Sequence, residues 1–216
     1  MVKLVLTEDE TMLADSARGF LDKSAPVKAF RDLRDAGQTH DAKMWKEMAA
    51  MGWAGVLVPE SAGGVDMGHA AAGILAQEMG KTLAVSPFLS TAVIAATALR
   101  HVSDARAEAA LAKIASGDAT YALAVDETSK FNPDATAMTA TAEGNGFRLT
   151  GKKTFVVDGA LADRLLVLAK TDNGLTLFDI PADRAGITRN AQNMIDARDS
   201  ARIDFDNVEA TGDDVL

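Results

Sequence analysis

Cysteine is absent from the 216 residues, which excludes a disulfide framework, a thiolate metal site and a cysteine nucleophile. Histidine is scarce. The three imidazoles, His40, His69 and His101, have no ligand spacing such as His-x-x-x-His, so zinc chemistry is not expected. Cations are outnumbered, 22 Lys and Arg against 31 Asp and Glu, for a net charge of −9. A phosphate backbone calls for neutralising cations, so nucleic acid is not an expected partner. No apolar run reaches the about 20 residues that cross a bilayer. The apolar start Met1-Val2-Lys3-Leu4-Val5-Leu6 turns acidic at Thr7-Glu8-Asp9-Glu10, too soon for a signal peptide. A cytoplasmic chain with no membrane insertion is the resulting expectation. What remains is an ordinary globular balance, 48% hydrophobic and 25% charged, enough to bury a core in one large domain or two small ones.

The first half reads as helical. Thr7-Glu8-Asp9-Glu10 fits a capping box, with the Thr hydroxyl and Glu carboxylate taking free backbone N–H groups. Leu13, Ala17, Phe20 and Leu21 then make one apolar stripe. Met44, Trp45, Met48 and Met51 repeat that spacing, as do Met67, Ala71, Ile74 and Leu75. Ser86-Pro87 reads as an N-cap followed by proline at the first helical position. The run over residues 88–99 is apolar nearly all round, which predicts a helix buried on every side. Leu111 and Ile114 mark a further amphipathic helix, and Gly117 stands where its C-terminal cap is expected.

Beyond Asp118 threonines become denser and alternation replaces the helical period. Tyr121-Ala122-Leu123-Ala124-Val125 reads as a strand. Glu143-Gly144-Asn145-Gly146 and Thr171-Asp172-Asn173-Gly174 are turn chemistry between alternating segments and predict two hairpins. Ala201, Ile203 and Phe205 alternate with Arg202, Asp204 and Asp206, as in a strand with one face on a core. The fold class is therefore α+β: an all-α helical domain over residues 1–117, then an antiparallel β-barrel or sandwich domain over residues 118–216.

Several stretches resemble the acyl-CoA dehydrogenase family. Met51-Gly52-Trp53-Ala54-Gly55-Val56-Leu57-Val58-Pro59-Glu60, followed by Ala62-Gly63-Gly64, resembles the family's loop after the third helix. Gln77-Glu78-Met79-Gly80-Lys81 resembles a helix end of that family, and Lys113-Ile114-Ala115-Ser116-Gly117-Asp118 its lead into the β-domain. Gly151-Lys152-Lys153-Thr154-Phe155-Val156-Val157-Asp158-Gly159, then Ala162-Asp163, resembles its "G-x-K-x-[WF]-I-T-N" strand. The likeness runs in order along the whole chain. Within the family, Leu83-Ala84-Val85-Ser86-Pro87-Phe88 looks closest to the branch typified by the small subunit of pimeloyl-CoA dehydrogenase.

The resemblance implies α,β-dehydrogenation of an acyl-CoA thioester with FAD, in which a carboxylate base takes the proton next to the carbonyl and the β-hydride goes to the flavin. It implies an acyl-CoA substrate, an electron-transfer partner protein and a homo- or hetero-oligomer built as a dimer of dimers. The family's base lies in a second helical domain after the β-domain, so no residue of this sequence inherits a catalytic role. The implied flavin-binding residues are Val125, Asp126, Phe155, Val156 and Val157. The family's "T-E-P-x-x-G-S" loop is replaced here by Val125-Asp126-Glu127-Thr128-Ser129-Lys130-Phe131-Asn132-Pro133, and Val157 lacks the hydroxyl of the family's Thr. These departures leave an alternative, a non-catalytic partner subunit of a heteromeric dehydrogenase.

Each candidate also has a plainer reading. Phe155 either stacks on a flavin or fills a core. Asp126 and Glu127 read as solvated loop acids rather than an acid–base pair. Lys152, Lys153 and Arg148 could meet a pyrophosphate, but strand-edge lysines more commonly serve solubility and protect edges. His69 falls on the polar side of its helix, and the methionine stripe reads as core filling.

Overall fold

The computed structural model describes residues 5–216, so most of the apolar start read above lies outside the described residues. Helix α1 (Glu8–Ser24) opens with the expected capping box: Thr7 Oγ1 accepts from Glu10 N at 3.3 Å, and Glu10 Oε2 accepts from Thr7 N at 2.8 Å. Ala17 and Leu21 are buried, and Phe20 meets Trp53 edge-on with ring centroids 5.4 Å apart. Helices α2 (Val27–Asp35), α3 (Ala42–Ala50) and α4 (Gly68–Thr82) follow. Met44, Trp45 and Met48 of α3 are core, whereas Met51 and Met67 sit at helix ends and are exposed.

Two motifs explain how the helices are tied. Between α3 and α4 the chain folds back on itself: Val65 N donates to Gly55 O, Met67 N to Val56 O and Gly64 N to Pro59 O. A Cβ on Gly64 would lie 1.9 Å from the Val58 carbonyl oxygen, so only glycine allows that approach. Near the end of α4, Glu78 is buried and accepts from Arg18 of α1 and Lys81. Its carboxyl is held below the ordinary value, chiefly by the Lys81 hydrogen bond.

The apolar run departs from expectation. Residues Phe88–Ala95 form a π-helical segment that passes into α5 (Ala96–Arg100). Ser86 Oγ does accept from Phe88 N, at 3.4 Å, but Pro87 itself occupies the capping position. Leu89 is exposed, so the segment is not buried on every side. Helix α6 (Ala105–Ala115) buries Leu111 and Ile114 and ends beside Gly117, whose φ is +66°.

Seven strands follow: β1 (Tyr121–Ala124), β2 (Thr139–Glu143), β3 (Gly146–Val157), β4 (Arg164–Thr171), β5 (Gly174–Pro181), β6 (Ile187–Ala191) and β7 (Ser200–Thr211). Both expected hairpins are present, β2 with β3 and β4 with β5. The sheet is mixed rather than purely antiparallel. One edge of β4 carries β1 in parallel and then the start of β2, also in parallel; the other edge carries β5. Parallel pairing needs a long return connection, and the β1–β2 loop together with the β2–β3 hairpin supplies it. The order β1-β4-β2-β3-β7-β6 curls around a core that includes Leu149, Val156, Phe178, Ile203 and Phe205.

A second core lies within the helices, and β-strand residues enter it: Tyr121 and Leu166 pack among Leu57, Leu75, Phe88 and Leu99. No helix among the described residues is long and apolar enough to cross a membrane.

Candidate functional site

The strand β3 alternates faithfully as far as Lys153. Leu149, Gly151 and Lys153 share one face, and Lys153 points into the domain. The pairing with β7 slips between Leu149 and Gly151 and again between Lys153 and Val156. Phe155 sits in that bulge with φ +52°, and the phase of the strand changes: Val156 goes into the core at 1% exposure, while Phe155 turns outward at 47%. Left-handed backbone is uncommon for an aromatic residue, and here it serves to re-aim a side chain, as bulges do.

Opposite the bulge lies the segment after β1. Thr154 N donates to Asp126 O at 2.7 Å, and Lys153 Nζ donates to Val125 O at 3.0 Å. The segment bearing Val125 and Asp126 is thereby joined to the stretch of β3 just before Phe155, while Val157 lies further along, paired with Ser200 of β7. The Val156 side chain faces the sheet interior. Asp126 Oδ1 is buried and accepts no hydrogen bond from any described residue. Such an atom carries a desolvation cost.

Two residues read from sequence as solvent-facing are instead paired, one buried and the other half-buried. Lys153 is fully buried, not a solubility lysine, and its Nζ lies 2.8 Å from Glu127 Oε1. Glu127 is not solvated either: its carboxylate also accepts from Ala137 N at 2.7 Å and Met138 N at 3.0 Å. Burial alone would push Glu127 up, but Lys153 and the two amides outweigh it and hold the carboxyl below its ordinary value. The alternation from Leu149 was the available signal for Lys153; nothing local marks its partner 26 positions away. Lys152 and Arg148, by contrast, reach only partly exposed acids at the sheet surface, Lys152 pairing with Asp204 and Arg148 with Glu143.

A second feature lies where the helices meet the β-domain. A cavity of about 710 Å³ is lined by Ala72, Ala76 and Met79 of α4, Leu89 and Val93 of the π-helical segment, and Ile195 of the loop before β7. Its lining is mainly apolar, with His69, Arg34 and Arg198 also on it. His69 is exposed as expected, but its helix face looks onto this cavity. Among the described residues no cluster could hold a metal ion.

The sequence profile described as "Acyl-CoA dehydrogenase, N-terminal domain" matches residues 7–118, and that described as "Acyl-CoA dehydrogenase, middle domain" matches residues 122–208. The chain belongs to the acyl-CoA dehydrogenase family. Among its relatives is acyl-CoA dehydrogenase FadE27 of Mycobacterium tuberculosis, 32% identical over 162 residues, which cover 74% of this chain and 42% of the relative. Glutaryl-CoA dehydrogenase of Desulfococcus multivorans is 28% identical over 98% of this chain and 58% of its own length. A chain of the ChsE4–ChsE5 complex from Mycobacterium tuberculosis superimposes with a TM-score of 0.88 at 25% identity, covering all of this chain and 58% of that one. The chain thus spans about half the length of the relatives it matches.

The residues present fit a flat, donor-bearing ring. Phe155 offers an exposed aromatic face, and Asp126, on the segment bonded to Thr154, keeps a buried carboxylate oxygen without a partner among the described residues. Val157 offers no hydroxyl, so polar contact would come from Asp126 and the backbone.

Proposed function

We propose that this chain carries the flavin wall and the acyl cavity of an FAD-dependent acyl-CoA dehydrogenase, in two units over residues 1–117 and 118–216. The observation that carries this reading is the meeting of the 125–126 and 153–155 segments through the Thr154 N to Asp126 O hydrogen bond of 2.7 Å, which brings the segment that bears Phe155 against the one that bears Asp126. Val125, Asp126, Phe155 and Val157 contact the ring, and Val156 braces them from the core.

FAD, when bound, accepts the hydride from the β-carbon of the acyl group. The residues of this chain prepare that event. Phe155 covers one part of the ring and excludes water from it. Asp126, with the backbone of its segment, would help to hold and orient the ring. The apolar cavity under Leu89 and Val93 takes the acyl chain out of water, so that burial energy orients the reacting carbons. Proton removal falls to a carboxylate that the family resemblance puts in a helical region outside these 216 residues. An electron-transfer protein would be the partner that takes the electrons onward, and the assembly is an oligomer in the cytoplasm.

The test is direct. The protein in its full encoded length, purified from cells, is expected to hold FAD and to lose the oxidised flavin absorbance when mixed anaerobically with a suitable member of an acyl-CoA panel. No flavin, and no uptake of added FAD, sinks this reading.

A second reading is favoured by two observations: Val157 in place of a hydroxyl residue, and the structural likeness to a chain from a complex named for two components. In it this chain is the non-catalytic partner of an active dehydrogenase subunit. Co-purification of a second dehydrogenase chain that carries all the flavin would select it.

A further inference from the structure

The segment joining β1 to β2, residues 125–138, has no ladder of its own and carries only a short turn at Pro133–Ala135. Phe131 at its outer end is 76% exposed. A stretch of this kind wanders unless something pins it. Backbone bonds hold its two ends, Thr154 N donating to Asp126 O and Lys170 N to Met138 O, and between them one carboxylate gathers both ends together. Glu127 accepts from the Lys153 ammonium on Oε1, from Met138 N on the same oxygen and from Ala137 N on Oε2, while the Lys153 ammonium also donates to Val125 O. One ion pair therefore joins the end of β1, the lead into β2 and the middle of β3.

Stability alone does not call for this arrangement. Burying an ammonium and a carboxylate costs desolvation that their attraction roughly repays, and an apolar pair of the same volume commonly does as well or better. What charge and fixed hydrogen-bond directions add over grease is position. The position at stake is specific, because Glu127 adjoins Asp126 and Lys153 lies two residues before Phe155.

We propose that Glu127 and Lys153 are positioning residues of the ring site: their ion pair fixes the separation between the Asp126 carboxylate and the Phe155 side chain. This rests on the flavin reading above. Neither residue touches the ring; each acts through its neighbour.

The experiment compares wild type with Glu127→Gln, Lys153→Met and the double variant, all in the full-length protein. FAD affinity is read by quenching of flavin fluorescence, the shape of the bound flavin's visible absorption is recorded, and melting temperature is measured alongside. Arg184→Ala, which breaks the Arg184–Asp214 pair near the C-terminal end of the sheet, serves as a control for lost stability. Each single variant is expected to bind FAD at least tenfold more weakly and with an altered absorption envelope. The double variant, neutral and similar in volume, is expected to recover the wild-type melting temperature without recovering affinity. Affinity that follows melting temperature through all variants, Arg184→Ala included, would make the pair merely structural and overturn the proposal. Wild type that takes up no FAD defeats the flavin reading itself, and is told apart from the former result because no variant is needed to see it.

Discussion

The hydroxyl of Thr91 stands in for a β-strand against Tyr121. Its Oγ1 accepts from Tyr121 N at 2.9 Å and donates to Tyr121 O at 3.1 Å, in a fully buried setting. One side chain of the π-helical segment thus satisfies both backbone groups on the free edge of β1. Thr91→Val keeps the shape and removes the oxygen, leaving a buried donor and a buried acceptor without that partner. A loss of about 2–4 kcal/mol is expected, measured by urea denaturation against wild type.

At the junction between helices and sheet, Asp158 has φ +55° and its Oδ2 is buried with no partner among the described residues. Burial raises its carboxyl to about 6, above the ordinary carboxylate value of about 3.8, so folding favours the protonated form. The stability this confers is complete below about pH 4, declines as pH rises and is gone above about pH 6. Asp158→Asn holds the neutral form at every pH and tolerates the left-handed backbone. It should gain up to about 3 kcal/mol over wild type at pH 8 and almost nothing at pH 4. The neighbours oppose one another: burial also raises Asp199 and lowers His40. For that reason the difference between variant and wild type, not the wild-type curve, is the quantity to measure.

Gly73 lies inside α4 and lines the large cavity, and a Cβ built on it meets nothing within 4 Å. Gly73→Ala should therefore stabilise by about 0.5–1 kcal/mol through helix propensity, seen as a higher melting temperature. Gly73→Phe should instead occupy the cavity. Binding of an apolar fluorescent dye should fall severalfold in that variant and stay unchanged in Gly73→Ala.

Phe155 is half exposed and supports no core. Phe155→Ala should leave unfolding free energy within about 0.5 kcal/mol of wild type, yet weaken FAD binding at least fivefold in a fluorescence titration. Unchanged FAD affinity would remove this side chain from the ring site.

These features differ in how visible they are in the sequence. Turns and caps are local, so Thr7 with Glu10, and the Gly-containing links at 143–146 and 171–174, can be read directly from neighbouring residues. The Gly63-Gly64 motif is likewise legible, although the reason for Gly64, a carbonyl six positions earlier, needs coordinates. Period-two reasoning places Leu149 and Lys153 on one face and would put Phe155 there as well. A bulge interrupts the count, and bulges depend on how β7 pairs with β3 rather than on β3 alone. The union of Glu127 with Lys153 is a matter of tertiary topology, and an acid at one site with a base 26 positions on is too common a pattern to single out. The π-helical winding over 88–95 is similarly hidden, because an apolar run gives a hydrophobic period no contrast to act on.

The placement of Tyr121 and Leu166 in the helical core has a bearing on how the chain comes into being. During synthesis the helices leave the ribosome first, with a greasy patch uncovered where β1 and β4 will later lie. Tyr121 emerges soon afterwards, but β1 has no strand to pair with until residue 164 follows. Over that interval of translation the newborn helical layer is a half-finished surface, open to chaperones or to sticking, and only the arrival of β4 seals it.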